Sequence, residues 1–393
     1  MLCSKLPCMK KPHKKYPLAA ITLLFAGCIG TDDHAPPPTI TVTTGTSSSQ
    51  AVLLVTSADG TWQPVALANN QATFAPTTHA YGVAFACRYD QDTRLGVRTS
   101  TRFLTIDDGN ELHFAGCNVL TPNTSVTITG LQANQEFVAN GTSFTEAQPT
   151  QLLTLSQAEI IGVLWQVKPR AVLGFTRQPV VPAQADVLIN AATAVAPEFI
   201  QVASDLIAPS MEVGLTRFYS GSTFFELDTF GPADAAGIAV PPAAFRQPGD
   251  LMELDATELT SETNLRYVQH LVDRADVFSP TLPAAWNAPA PQVDQGGVSF
   301  AFTPRASWEG WYTASIQIFG LSDQHHGISV SSAWPQDDSQ TAVRSPDFAA
   351  FATWAPPLAD NQELYWWSDA VAVSDPAIAA GRQLYVSRSS AAP

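Results

Sequence analysis

The sequence has little lysine and few charged residues of any kind. Charged residues make up 14% of its 393 residues, while hydrophobic residues make up 45%, a balance too apolar for a disordered chain. Five of the six lysines precede residue 16, and only Lys168 follows them. From Cys28 onward the chain has 15 of the 20 basic residues and all 35 acidic residues, which gives a net charge of −20. Such a charge repels nucleic acid and anionic headgroups, so we expect no nucleic-acid partner and a solvated acidic surface.

The chain also lacks the motifs of several large enzyme classes. It contains no nucleophile elbow of the Gly-x-Ser-x-Gly type, no His-Glu-x-x-His, no phosphate-binding loop and no Cys-x-x-Cys pair. The adjacent carboxylates Asp337 and Asp338 give no glycosidase signal, because that chemistry needs two acids facing each other across a cleft. These absences argue against an enzyme, and we expect no cofactor.

One short segment brings together residue types that bind metals. Asp323, His325 and His326 offer a carboxylate and two imidazoles. Adjacent histidines point to opposite sides of an extended chain, so both reach one ion only in a turn. A further ligand would then come from His270 or Asp337. The alternative is a polar loop that binds nothing, and we predict no metal site.

No hydrophobic run is long enough to cross a bilayer. The apolar run at residues 18–26 is far shorter than the roughly 20 residues of a transmembrane helix. It follows a basic segment, which is the arrangement of a secretory leader, and we place that leader at residues 1–27. Met9, followed by two lysines, is the more natural start, which would leave Cys3 and Cys8 outside the synthesised chain.

The leader ends in Leu-Phe-Ala-Gly-Cys at residues 24–28. This ending resembles the signal of bacterial lipoproteins, although Phe25 stands where that family more often has leucine. The resemblance implies that Cys28 is lipidated after cleavage, which makes the membrane a partner through the anchor, since two or three acyl chains hold firmly. Ile29 instead of aspartate after the cysteine implies sorting to the outer membrane. Residues 28–50 are rich in Pro, Thr and Ser, and we expect a disordered tether.

From residue 51 onward the pattern predicts an all-β protein. Short runs of β-branched and aromatic residues alternate with turn residues, without a long helical period. We expect a hairpin of residues 51–56 and 61–67, and a second of residues 102–106 and 111–114. The turn at residues 107–111 is rich in oxygen ligands, but a hairpin needs the same residues and the spacing of a calcium loop is missing.

Cys87 and Cys117 are the only cysteines after Cys28. Oxidation is the default in an exported protein, so we expect a disulfide between them that stabilises the fold by roughly 3 to 4 kcal/mol. Two buried free thiols are the alternative.

We divide the chain after the tether into three β modules. Residues 51–120 are predicted to form a small sandwich, and residues 121–195 resemble prealbumin-like or carboxypeptidase-regulatory-like modules of exported bacterial proteins. These two modules are Ig-like in layout, and the second resemblance covers about 70 residues without a diagnostic one. Residues 196–393 predict a larger, Trp-rich β-sandwich of the jelly-roll kind, with one helix at residues 258–273.

The aromatic residues of the last module are candidates for a binding surface. In a strand, Trp366 faces one side and Trp367 faces the other together with Tyr365. If only one side is buried, one of the two tryptophans is exposed and can stack on a sugar ring or anchor a protein partner. Trp308 and Trp311 are further candidates, and packing in the core is the alternative for all five.

These features predict a membrane-anchored extracytoplasmic lipoprotein that acts as a binding or structural surface module for a glycan or protein ligand. The alternative is a carbohydrate-active or metal-dependent hydrolase on the C-terminal sandwich.

Overall fold

The structure is a computed structural model. It describes residues 38–45, 51–56, 60–91, 94–117, 124–153, 158–180, 186–203, 210–221, 223–232, 237–261, 263–286, 289–294, 296–305, 309–318, 322–334, 341–358, 365–374 and 379–391. Among these residues, no helix has the length and apolar character needed to cross a membrane. Cys28, Trp308 and Asp337 lie outside the described residues.

The described residues form strands and four short 3-10 helices, which confirms the all-β prediction. The strands of the first half are β1 (Ile40–Thr44), β2 (Ala51–Thr56), β3 (Trp62–Val65), β4 (Gln71–Phe74), β5 (Ala80–Gln91), β6 (Arg94–Thr105), β7 (Glu111–Phe114), β8 (Thr124–Thr129), β9 (Gln135–Ala139), β10 (Thr142–Thr145), β11 (Thr150–Leu153), β12 (Glu159–Gln166), β13 (Ala171–Pro179) and β14 (Asp186–Asn190). Those of the second half are β15 (Glu198–Val202), β16 (Met211–Ser220), β17 (Thr223–Glu226), β18 (Gly231–Pro232), β19 (Ile238–Val240), β20 (Leu251–Leu259), β21 (Asn264–Val272), β22 (Val277–Phe278), β23 (Gln292–Asp294), β24 (Gly297–Phe302), β25 (Trp311–Ile318), β26 (Ser322–Ser331), β27 (Thr341–Arg344), β28 (Tyr365–Val373) and β29 (Gln383–Ala391). The 3-10 helices are Ile106–Asp108, Ala191–Thr193, Ala243–Phe245 and Phe348–Ala350.

One large sheet of 13 strands organises the fold. Its order is β17-β16-β20-β21-β29-β28-β25-β26-β6-β5-β2-β3, with β18 beside β16. Neighbouring strands are antiparallel except β6 and β26, which pair in parallel from Leu95↔Ser322 to Phe103↔Val330. This parallel pair joins strands from residues 51–120 to strands from residues 196–393, so two modules that the sequence separates share one sheet.

The first sandwich packs the sheet β4-β1-β7 against β2, β5 and β6. Its core includes Ile40 and Val42, which are fully buried, and the predicted hairpin of residues 51–56 and 61–67 is present as β2 and β3. Cys87 and Cys117 form the expected disulfide, with their Cα atoms 5.8 Å apart. It ties β5 of the large sheet to the chain just after β7.

Two expectations for this region are wrong. Residues 40–44, assigned to the tether, form β1, because Ile40 and Val42 alternate with threonines and bury one face of the strand. Residues 102–114 do not form a hairpin, because β7 pairs in parallel with β1 instead of with β6. The Asp108 carboxylate redirects the chain by accepting hydrogen bonds from the Thr105 backbone N–H at 2.6 Å and from the Ser331 hydroxyl at 2.6 Å.

The second sandwich packs β10-β9-β12-β13 against β11-β8-β14. Strand β12 is buried on both faces, because Ile160 and Leu164 face this sandwich while Ile161 and Val163 pack against the large sheet near β16 and β20. The sheet β19-β15-β22 contributes to the same core as β16 and β20.

A third layer, β23-β24-β27, covers one face of the large sheet at β25, β26 and β28. Phe302 of β24 stacks on Tyr312 of β25 with ring centroids 4.4 Å apart, and Trp286 packs beside both rings. The opposite face of the same strands carries the candidate site.

The helix predicted over residues 258–273 is wrong. These residues belong to the antiparallel hairpin of β20 and β21, in which Leu259 pairs with Leu265. The Ser261 hydroxyl accepts a hydrogen bond from the Asn264 backbone N–H at 3.1 Å and so stabilises the turn.

Candidate functional site

The candidate site is one face of four neighbouring strands, which we call the open face. Strand β25 shows the division, because Tyr312, Ala314 and Ile316 are buried while Thr313 and Ser315 on the other side are half-exposed. Pairing across β6, β26, β25 and β28 brings polar and aromatic side chains together on this side. The open face consists of Arg98, Arg102, Thr313, Ser315, Gln317, His325, Ser329, Tyr365, Trp367 and Asp369.

The aromatic residues divide between the two sides of the sheet. Trp366 packs against the core beneath the third layer, whereas Trp367 lies on the open face with its ring centroid 5.8 Å from that of His325. Tyr365 is 43% exposed beside it. Trp311 packs against the first sandwich, so the structure brings Tyr365 and Trp367 together and leaves Trp366 and Trp311 in packing roles.

The two histidines of the predicted metal segment also point to opposite sides, because residues 322–331 form strand β26 and not a turn. His326 is buried, with its ring nitrogens 2.9 Å from the Thr99 hydroxyl and 3.2 Å from the Gln324 side-chain oxygen. Burial, together with neighbouring His325, lowers the pKa of His326 to about 3. The two imidazoles therefore cannot bind one ion.

No other metal site replaces this segment in the part of the chain that the structure describes. There, no three His, Cys, Asp or Glu side chains are placed to hold an ion. The Asp323 side chain is not described, and His270, the proposed additional ligand, packs edge-on against Phe278 with ring centroids 5.2 Å apart.

A cleft of about 370 Å³ opens on the open face beside the first sandwich. Arg98, Arg102 and His325 line it on the polar side, and Phe85 and Phe114 on the apolar side. Thr313, Ser315 and Ser329 are among the hydroxyl residues that also line it. This volume lies within the range of small-ligand sites.

The two arginines of this cleft differ in how they are held. The Arg102 guanidinium lies 4.5 Å from the centroid of the Phe114 ring and donates a hydrogen bond to the backbone oxygen of His113 at 2.8 Å. Burial lowers the pKa of Arg102, since its charge is partly removed from water. Arg98 is exposed, and no hydrogen bond or ion pair joins it to another described residue.

His325, which lines the same cleft, has one polar atom without a partner in the part of the chain that the structure describes. Its Nδ1 is buried and has no hydrogen-bond partner among the described residues. Burial, followed by the charge of Arg98, lowers the pKa of His325, which keeps the imidazole neutral at pH 7 and able to accept or donate a hydrogen bond.

Asp369, at the edge of the open face, already forms an ion pair with Arg388. Its two carboxylate oxygens accept hydrogen bonds from Arg388 Nε and Nη2 at 2.7 and 2.9 Å. Arg388 also lies 6.0 Å from the centroid of the Trp367 ring. The guanidinium that pairs with Asp369 therefore lies near one side of the tryptophan ring.

A second, smaller cleft of about 300 Å³ lies near β20 and β21. Glu253 lines it and accepts hydrogen bonds from the Tyr219 hydroxyl at 2.8 Å and from Arg217 at 3.3 Å. Asp255, two residues along the strand, is only 4% exposed and does not line the cleft. The sequence analysis did not single out Glu253 or Asp255, because their environment depends on pairing of β20 with β16 and β21.

Comparisons with known proteins place the chain in no family. No family model matches it, and no curated protein sequence is detectably similar.

Proposed function

We propose that this protein is a lipid-anchored extracytoplasmic binding protein that holds a glycan on its open face. The observation that carries the proposal is a pair of aromatic side chains on one face, Tyr365, which is 43% exposed, and Trp367, which is half-buried, beside a cleft lined with hydroxyl, guanidinium and imidazole groups. Trp366, one position away, lies on the other side of the sheet and packs against the core.

The chemistry of the open face fits a sugar better than an apolar ligand. Sugar rings present C–H groups that pack on an aromatic face and hydroxyls that need hydrogen-bond partners. Trp367 and Tyr365 supply the aromatic faces, while Ser315, Ser329 and His325 supply partners for the hydroxyls. The sheet fixes the spacing of these groups, because each lies on a paired strand and not on a loop.

We expect purified protein to bind members of a glycan array and Trp367→Ala to weaken that binding about tenfold or more, because the substitution removes the stacking surface. Titration calorimetry with the strongest ligand on the array measures the change. Trp367→Phe should retain part of the affinity, since a smaller ring remains.

Phe199→Ala is the matched control, because Phe199 is 52% exposed on β15, away from the open face. It should bind as the unmodified protein does. Circular dichroism checks that each variant is folded. Failure of the unmodified protein to bind any glycan, or equal binding by Trp367→Ala, would contradict the proposal.

The anchor is the second part of the proposal and is supported by the sequence at residues 24–28. We expect metabolic labelling with a palmitate analogue to mark the protein and Cys28→Ser to abolish the label and release the protein from washed membranes. Ile29→Asp is the sorting control, which should keep the label while moving the protein from the outer to the inner membrane. An unlabelled protein that washes off in buffer without detergent would contradict the anchor.

A further inference from the structure

The cleft on the open face has an excess of positive charge that the rest of the chain does not share. The whole sequence carries a formal net charge of −15, yet the charged groups that line the cleft are Arg98 and Arg102. Neither forms an ion pair with a described carboxylate. Asp369, the carboxylate of the open face whose side chain is described, is bound to Arg388.

No carboxylate among the described side chains pairs with the partly buried charge of Arg102. Its pairing with a backbone oxygen and an aromatic ring compensates only part of the free energy lost when a guanidinium leaves water. An anion in the cleft would supply the missing charge, and Arg98, four residues earlier on the same strand β6, would share it. Guanidinium groups bind carboxylates with two parallel hydrogen bonds when both are free to orient.

The aromatic surface and the arginines are close enough to contact one sugar unit and its neighbour. Trp367 pairs with Ser315, which lines the cleft, and neighbouring strands lie about 4.8 Å apart. His325 lies between them, with its ring near Trp367 and its backbone paired with Arg98. His325 also lines the cleft and so adds an imidazole at the junction.

We propose that the glycan held by the open face is acidic, with a uronic-acid carboxylate between Arg98 and Arg102 and a sugar ring on Trp367. The inference rests on the proposed glycan-binding function and adds the chemical class of the ligand. The negative charge elsewhere on the protein opposes long-range attraction, but charges beyond about 8 Å are screened at physiological salt. The local arginines therefore decide the preference.

The test compares two ligands with the same rings. Titration calorimetry of the full chain with a tetramer of galacturonic acid and with its methyl ester measures the contribution of the carboxylate alone. We expect the acid to bind about tenfold to a hundredfold more tightly than the ester, which is the effect of a charged hydrogen bond. A sulfated neutral tetramer tests whether any anion suffices, and tighter binding of that ligand than of the acid would overturn the assignment to a carboxylate.

Arg98→Gln is the diagnostic variant, because the side chain is exposed and its loss leaves the core unchanged. It should reduce affinity for the acid about tenfold and leave affinity for the ester unchanged. Arg274→Gln removes the same charge from a side chain that is 79% exposed elsewhere and should change neither affinity.

Two results separate this inference from the function on which it rests. Equal binding of acid and ester, or equal losses for both ligands in Arg98→Gln, would overturn the acidic ligand while glycan binding stands. If no glycan binds and Trp367→Ala has no effect on any ligand, both proposals fail.

Discussion

At the scale of single residues, Asp255 shows how strongly burial can change the pKa of a carboxyl group. It is 4% exposed, one carboxylate oxygen accepts a hydrogen bond from Gln269 at 2.8 Å, and the other has no partner among the described residues. Burial raises the pKa of Asp255 to about 7, and the hydrogen bond from Gln269 only partly offsets this. The native protein therefore holds a proton that the unfolded chain has released above about pH 4.

The sign of the pH effect follows from this difference. Between about pH 4 and pH 7 the native state binds one more proton than the unfolded state, so the stability contributed by this group falls as the pH rises. We expect Asp255→Asn to stabilise the protein at pH 8 by on the order of 3 kcal/mol and to change little at pH 4. Urea unfolding at both pH values measures the difference.

Asp273→Asn is the control, since Asp273 is exposed at the end of the neighbouring strand. The free energy of unfolding of the Asp273→Asn variant should equal that of the unmodified protein at both pH values. An Asp255→Asn variant that is equally destabilised at pH 4 and pH 8 would contradict a protonated Asp255.

The site residues also show which features of the site could be predicted from the sequence. Alternation along a strand placed Trp366 and Trp367 on opposite sides, and the structure confirms that division. The same rule separates His325 from His326 once residues 322–331 are known to be a strand. Arg98 and Arg102 had no distinguishing sequence signal, because their role depends on β26, a strand more than 200 residues away.

At the scale of strands and sheets, Arg177 connects elements that the sequence places in different modules. Its guanidinium donates to Glu159 on the paired strand β12 at 2.7 and 3.0 Å, and to Asp250, just before β20, at 2.6 Å. It also donates to the Ser220 hydroxyl at the end of β16 at 3.0 Å. The Arg177 and Asp250 side chains are 9% and 3% exposed, so these charges depend on each other for compensation.

We expect Arg177→Met to lower the free energy of unfolding by about 3 to 5 kcal/mol, because Asp250 is then a buried charge without its partner. Arg177→Lys should lower it less, since the charge remains but the forked geometry is lost. Urea unfolding monitored by tryptophan fluorescence measures both.

Arg274→Met serves as the control for that measurement. Its ion pair with Asp276 is surface-exposed at 3.9 Å, and its loss should have no measurable effect. If Arg177→Met changes the free energy of unfolding no more than the control does, the stability of the protein does not depend on the ion pairs of Arg177.

Strands and turns that depend on neighbouring residues were predictable from the sequence. The hairpin of β20 and β21 was predicted wrongly, although its sequence contains the information. Its leucines and valines occur at a spacing that fits a helix poorly and a strand pair well, because Leu259 and Leu265 are partners across the turn. The threonines and serine before Asn264 are typical turn residues, and weighing them would have favoured the hairpin. Strand β12 was predictable for the opposite reason, since a continuous apolar run fits a strand buried on both faces.

At the scale of the whole molecule, the large sheet joins strands from modules that the sequence analysis separated, and the cleft depends on this pairing. Its parallel pair β6 and β26 places Arg98 beside His325 and Arg102 beside Ser329, so the cleft is built from two distant parts of the chain. The third layer covers one side of these strands and supports the other from beneath. A protein cut between residues 195 and 196 would therefore separate the two walls of the cleft.

The amino-acid sequence alone determined the all-β class, the pairing of Cys87 with Cys117 and the opposite orientations of the two tryptophans. These follow from residue type, from the presence of only two cysteines after Cys28 and from the two-residue period of a strand. Only the tertiary structure decided that residues 40–44 join a core, that distant segments share a sheet and that two arginines and a histidine line one cleft. Pairing between strands depends on which backbone groups remain to be satisfied once the chain has collapsed, and no local pattern encodes that choice.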